Sequence, residues 1–139
     1  MTMTMPAREL DRLSRSGLSA ADLENLDDDL AGRTVFDRAG EQIGTVEDEL
    51  VEPRQLRVPF LIVHWGGVLG IGKQQRLIPM EAVNRVEADG VYIEQDKELI
   101  VSAPPYQDNM DVEDAELHYS AIYDLYGITP YWMGQQPTG

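Results

Sequence analysis

Glu41-Gln42-Ile43-Gly44-Thr45-Val46-Glu47-Asp48-Glu49-Leu50-Val51 sets Ile43, Thr45-Val46 and Leu50 against charged neighbours. This is the pattern of a strand with one face in a core. Gly44 falls where such a strand would bulge or bend. Upstream, Thr34-Val35-Phe36-Asp37 reads as a short strand closed by Ala39-Gly40. Downstream, Pro59 to Trp65 is almost continuously apolar, as expected of a strand buried on both faces. Gln75 to Pro79 gives a fourth strand, and Pro79 ends it because proline supplies no ladder N–H. Met80 to Val83 reads as a helical or 3₁₀ turn, and Val86-Glu87 as the next strand. Ala88-Asp89-Gly90 reads as a hairpin turn of the Asp-Gly type before Val91-Tyr92-Ile93. A short helix over Lys97 to Val101 leads to Ala103-Pro104-Pro105.

No helix between these strands is long enough for a parallel crossover. The expectation is therefore a mainly β fold: a small six-stranded antiparallel barrel, closed or partly closed, over residues 32–105. It is flanked by an N-terminal helical extension, 1–31, and a C-terminal acidic aromatic helix and tail, 106–139. In the extension, Ser19-Ala20-Ala21-Asp22 has the form of a capped helix start. In the tail, Asp111 to Tyr126 is the best helix, with Gly127 as its stop and Pro130 just beyond. Ala115, Tyr119, Ile122 and Tyr126 share one of its faces.

Charge narrows the partners. The 139 residues hold 11 Lys and Arg against 25 Asp and Glu, a net charge of −14. No segment is basic, and residues 106–139 have six acids and no Lys or Arg. Nucleic acid and anionic membrane surfaces are repelled at long range. No apolar run approaches the roughly 20 residues of a membrane span, so no integral membrane segment is expected. The absence of cysteine removes disulfides and thiolate zinc sites and fits a reducing, cytoplasmic setting.

Three motifs invite a chemical reading. Gly67-Val68-Leu69-Gly70-Ile71-Gly72-Lys73 has the G-x-x-x-x-G-K spacing of a phosphate-cradling loop, so Gly67, Gly70, Gly72 and Lys73 are the residues a ligand loop would use. Gln74 stands where a Ser or Thr would meet Mg²⁺, and a strand follows where a helix is needed, so a wide turn with positive-φ glycines accounts for the spacing too. Asp108, Asp111 and Asp114 resemble part of a calcium loop but lack its central Gly and terminal bidentate Glu; a helix start with acidic first-turn residues is the other reading. Asp27-Asp28-Asp29 is a weaker acidic cluster of the same kind. His64 and His118 have no zinc spacing, and no Ser lies in a nucleophile-elbow setting. No enzyme and no cofactor are expected. Six of the ten aromatic residues lie in the last third of the chain. Either Tyr119, Ile122 and Tyr126 pack back on the barrel, or that face, or Tyr131-Trp132, docks on another subunit or protein.

Four segments in order carry a family resemblance: Gly40 to Asp48, Gly67 to Lys73, Leu77-Ile78-Pro79, and Asp89 to Ile93. Together they resemble the PRC-barrel domain of the photosynthetic reaction centre H subunit, which has a relative in a ribosome-maturation factor. The tail from Tyr126 to Trp132 is similar to tails on bacterial stand-alone PRC-barrel proteins. The resemblance implies a module that makes protein contacts. Neither the transmembrane helix of the first branch nor the preceding barrel of the second is expected from residues 1–139. The expected function is thus a non-catalytic protein-interaction or scaffold module, self-associating as a homodimer. The alternatives are a small-ligand or metal sensor and, more weakly, a component associated with photosynthetic or membrane electron transport.

Overall fold

The computed structural model describes residues 10–16, 30–52, 57–67, 72–108 and 110–133. The proposed helix start at Ser19–Asp22, the Asp27–Asp29 cluster and Gly70 lie outside the described residues. Seven strands form one sheet: β1 (Asp11–Arg12), β2 (Thr34–Phe36), β3 (Gln42–Glu52), β4 (Arg57–Trp65), β5 (Gln74–Pro79), β6 (Val83–Glu87) and β7 (Gly90–Ile93). One helical turn, α1 (Leu13–Ser16), follows β1, and a 3₁₀ turn, Met80–Ala82, joins β5 to β6. Helices α2 (Lys97–Ser102) and α3 (Val112–Tyr126) complete the described chain.

The hydrogen-bonded order is β5-β4-β3-β2-β7-β6, with β1 added beside β3 at Leu50 and Val51. This corrects the six-stranded antiparallel expectation on three counts. There is a seventh strand, the path of pairings is open among the described residues, and β2 runs parallel to β7, with Val35 opposite Val91. No long helix was needed for that parallel pair, because strands β3 to β6 themselves make the connection. The two ends of the open path, β5 and β6, are held together covalently by the three-residue turn between them.

Local chemistry explains the irregularities. Gly44 adjoins a register shift between β2 and β3, and a side chain there would overlap the carbonyl of His64. Pro59 lies in β4 where the β3 pairing slips between Leu50 and Glu52, the position at which a sheet tolerates a missing N–H. The hairpin after β6 differs from expectation. Its turn residues are Ala88 and Asp89, and Gly90 is already the first residue of β7. Glycine is required there for close approach: an added methyl would meet the Thr34 carbonyl at 2.5 Å and the Phe36 ring at 2.6 Å.

A main apolar core runs through the molecule, beside a small second cluster of Leu13 and Val51. The main core takes Leu30 from before β2, Phe60 to Val63 from β4, Leu77 and Ile78 from β5, Ile100 from α2, and Tyr119, Ile122 and Tyr123 from α3. Phe60 to Val63 are fully buried, as their unbroken apolar run predicts. The α3 boundaries follow their caps. Asp111 accepts a hydrogen bond from the Asp114 N–H at 2.9 Å, and Gly127 closes the helix in the left-handed region.

Candidate functional site

The largest polar assembly centres on Arg12, which projects from the two-residue strand β1 into a nearly buried position. Its Nε and Nη2 donate to the two Asp108 carboxylate oxygens at 2.8 and 3.0 Å, and its Nη1 donates to Glu47 Oε2 at 2.8 Å. Glu47 also receives Lys73 Nζ at 2.6 Å and Gln75 Nε2 at 2.7 Å. Ser14 donates its hydroxyl to Asp48 beside this cluster. Burial alone would lower the Arg12 pKa, but its bonds to Asp108 and Glu47 raise it overall. Burial likewise pushes the Glu47 carboxyl up, and Lys73 and Arg12 pull it below its ordinary value. Arg12 and Glu47 are therefore both held in their charged forms, and the assembly ties four separate stretches of chain together.

Those contacts account for most of the expected ligand residues. Lys73 is engaged by Glu47, and Gly67 and Gly72 take positive φ in a loop joining two antiparallel strands, β4 and β5. Asp108 is held by Arg12, and Asp111 caps α3 through the Asp114 N–H. Among the described residues no three His, Asp or Glu side chains gather as a metal would require. A cavity of about 230 Å³ adjoins Arg12, Tyr106, Met110 and Tyr119.

The buried acid Asp37 is committed to the backbone. Its Oδ1 accepts the N–H groups of Ala39 and Glu41 at 2.9 and 2.8 Å, and its Oδ2 accepts that of Lys97 at 3.0 Å. Burial would raise its pKa, but these three donors bring it below the ordinary value. Asp37 thus fixes the β2–β3 turn to the start of α2. An open groove of about 590 Å³ lies beside it, bordered by Arg38, Asn84, Arg85 and Tyr92. Arg38 is paired with Asp96 at 2.8 Å, and Arg85 is paired with Glu87 and lies 3.9 Å above the Tyr92 ring.

The aromatic helix is placed by stacking. Phe60 of β4 meets Tyr119 at 5.3 Å and Tyr123 at 5.0 Å between ring centroids, and Trp132 folds back edge-on to Tyr123 at 5.5 Å. Tyr119, Ile122, Tyr126 and Trp132 are consequently buried within their own chain. Tyr131 is half-buried beneath the Arg57 guanidinium, 4.7 Å from its ring centre. Burial pushes the Tyr119 phenol up to about 12, and those of Tyr106, Tyr123 and Tyr126 higher still. The opposite face of α3 carries Leu117, 67% exposed, between Glu113, Ala121 and Asp124.

Sequence reasoning missed Arg12 and Glu47 as partners, because nothing in spacing connects residues brought together by a two-residue strand. It also missed Arg76, a nearly buried cation over the Trp65 ring at 5.1 Å. Its guanidinium donates to Gln74 Oε1 and to the backbone carbonyl of Gln75, and desolvation lowers its pKa. The buried Nδ1 of His64 has no hydrogen-bond partner among the described residues.

Among the described residues no helix is long and apolar enough to cross a membrane. A search of curated proteins gives no match. A family model for the PRC-barrel domain matches residues 23–100. That match takes in β2 to β7, the 3₁₀ turn and most of α2, more than half of the chain, and the chain belongs to the PRC-barrel family.

Proposed function

We propose that this chain is a non-catalytic interaction module that self-associates and scaffolds a protein partner from a cytoplasmic setting. The observation that carries this reading is how its side chains are used. The well-placed polar groups, Arg12, Glu47, Lys73, Asp37 and Asp108, hold one segment of chain against another. Large apolar residues, meanwhile, are left in solvent on α3, at Leu117 and Leu125, and on β6, at Val86. Exposed apolar anchors set in charged surroundings suit a protein surface. A partner is expected to be neutral or basic where it meets α3, given six acids and no Lys or Arg over residues 106–139.

In this reading the chain divides into extension (1–31), barrel (32–105) and tail (106–139), and the tail reads the partner. Of the aromatic residues proposed for contact, Tyr131 is the one half-open to solvent. Tyr119, Ile122, Tyr126 and Trp132 support the surface from beneath. A metal or small-ligand sensor has less behind it, since Lys73, Asp108 and Asp111 already have partners. The test pairs solution mass with affinity capture from the source cell, using the wild type and Leu117→Asp. Self-association together with a captured protein lost in the variant is expected. A monomer at every concentration, with the same proteins captured by both, would overturn the reading.

A further inference from the structure

Strand β6 ends the path of pairings, and its outer side carries no strand among the described residues. Asn84 to Glu87 are all exposed, and Val86 is 45% exposed. The other end of the path is covered. The Tyr106 N–H donates to the Gln75 carbonyl of β5 at 2.9 Å, and α2 and α3 pack beside that strand. An exposed edge is a template for another strand.

The pattern on β6 says which strand. The two-residue turn at Ala88-Asp89 makes Glu87 and Gly90 a hydrogen-bonded pair. The next pair, Val86 with Val91, is then not hydrogen-bonded, so the Val86 N–H and C=O point to the open side. A two-fold axis through Val86 would set an antiparallel copy of β6 alongside. In that register Val86 meets Val86 of the second copy, and Arg85 and Glu87 each meet their opposite charge. We propose that β6 pairs antiparallel with β6 of a second copy in this register, continuing the sheet across a two-fold axis. The inference rests on the self-association proposed above and supplies its surface.

Any extended peptide could use the backbone groups, but the strand's own copy matches both charges at once. The local charge on Arg85 and Glu87 cancels, so the −14 of each chain acts only at longer range, where salt screens it. So short an interface belongs with the weak ones, with a dissociation constant on the order of 10–1,000 µM.

Sedimentation equilibrium of the full chain tests the register. R85E alone and E87R alone should each weaken the dimer about ten-fold, because each creates two like-charge pairs across the axis. The double swap R85E/E87R should return to within about three-fold of wild type. An equimolar mixture of the two single variants should associate more tightly than either alone. Both sites are half-exposed, and circular dichroism checks that the variants fold. A wild-type dimer indifferent to R85E, with no gain on mixing, would overturn the edge pairing and leave self-association standing. A wild type that stays monomeric would overturn both.

Discussion

The two ends of the sheet path are treated in opposite ways. At β5 the edge is closed by the segment around Tyr106, while α3 lays Tyr119 and Tyr123 against Phe60 of the neighbouring strand. At β6 four consecutive residues face solvent, and the guard is a charged pair, Arg85 and Glu87. The first end is sealed by residues from the far end of the chain. The second, among the described residues, is left to its own short strand and hairpin. An edge is thus a tertiary property: two strands of similar length acquire opposite roles from what packs on them. Stability should be concentrated at the β5 end and capacity for contact at the β6 end.

Alkaline pH gives the largest contrast between them. Burial raises the phenols of Tyr106, Tyr119, Tyr123 and Tyr126, all at the sealed end. Above about pH 10 the unfolded chain sheds tyrosine protons that the folded chain keeps, so the unfolded state binds fewer protons and stability falls as pH rises. The fold should be lost as pH climbs from about 10 toward the raised values, as followed by circular dichroism. Replacing Tyr119 and Tyr126 together by Phe should flatten that slope. An unchanged slope would place the sensitivity elsewhere.

Phe60→Ala empties a fully buried site that three rings share and should cost about 3–5 kcal/mol in denaturant unfolding. Val86→Ala, at the open edge, should change stability by no more than about 0.5 kcal/mol. Equal costs would break the comparison. Asp37→Ala lies between them. It strands the N–H groups of Ala39, Glu41 and Lys97 and should cost about 2 kcal/mol at neutral pH. The Asp37 pKa is lower folded than unfolded, so its contribution is present above the unfolded value and is lost as pH falls through the folded one. The gap between wild type and Asp37→Ala should therefore close in strong acid.

Much of this was legible in the order of residues. The strands from Thr34 to Ile93 and the caps of α3 at Asp111 and Gly127 rest on local periodicity and turn chemistry, which a linear string retains. The parallel β2–β7 pair was not legible, because its connection is the sheet itself and no crossover helix signals it. Arg12 was not legible either. Its partners Glu47 and Asp108 lie 35 and 96 residues away; the β1–β3 pairing brings Glu47 within reach, and the tertiary placement of the segment before α3 brings Asp108. Gly90 shows the intermediate case: a glycine was needed at that place, but for the closeness of Thr34 and Phe36 and not for the turn. The bare edge at β6 is invisible in sequence for the same reason that the sealed edge is. Both depend on where α3 and the 103–106 segment come to rest.

A pair of hydroxyl deletions tests whether the sealed end is packed for its rings or for their hydroxyls. The Tyr123 ring stacks on Phe60 and meets Trp132, yet its hydroxyl is buried with no hydrogen-bond partner among the described residues. A buried hydroxyl without a partner costs its desolvation and returns nothing. Tyr123→Phe keeps the ring and removes that burden, so it should be neutral or stabilising by up to about 1 kcal/mol. Tyr92→Phe, at the open end, removes a hydroxyl that donates to Asp89 at 2.9 Å in solvent and should stay within about 0.5 kcal/mol of wild type. A clear loss from Tyr123→Phe in thermal unfolding would mean that the phenol is satisfied in solution, and that the sealed end relies on a polar contact as well as on its stacked rings.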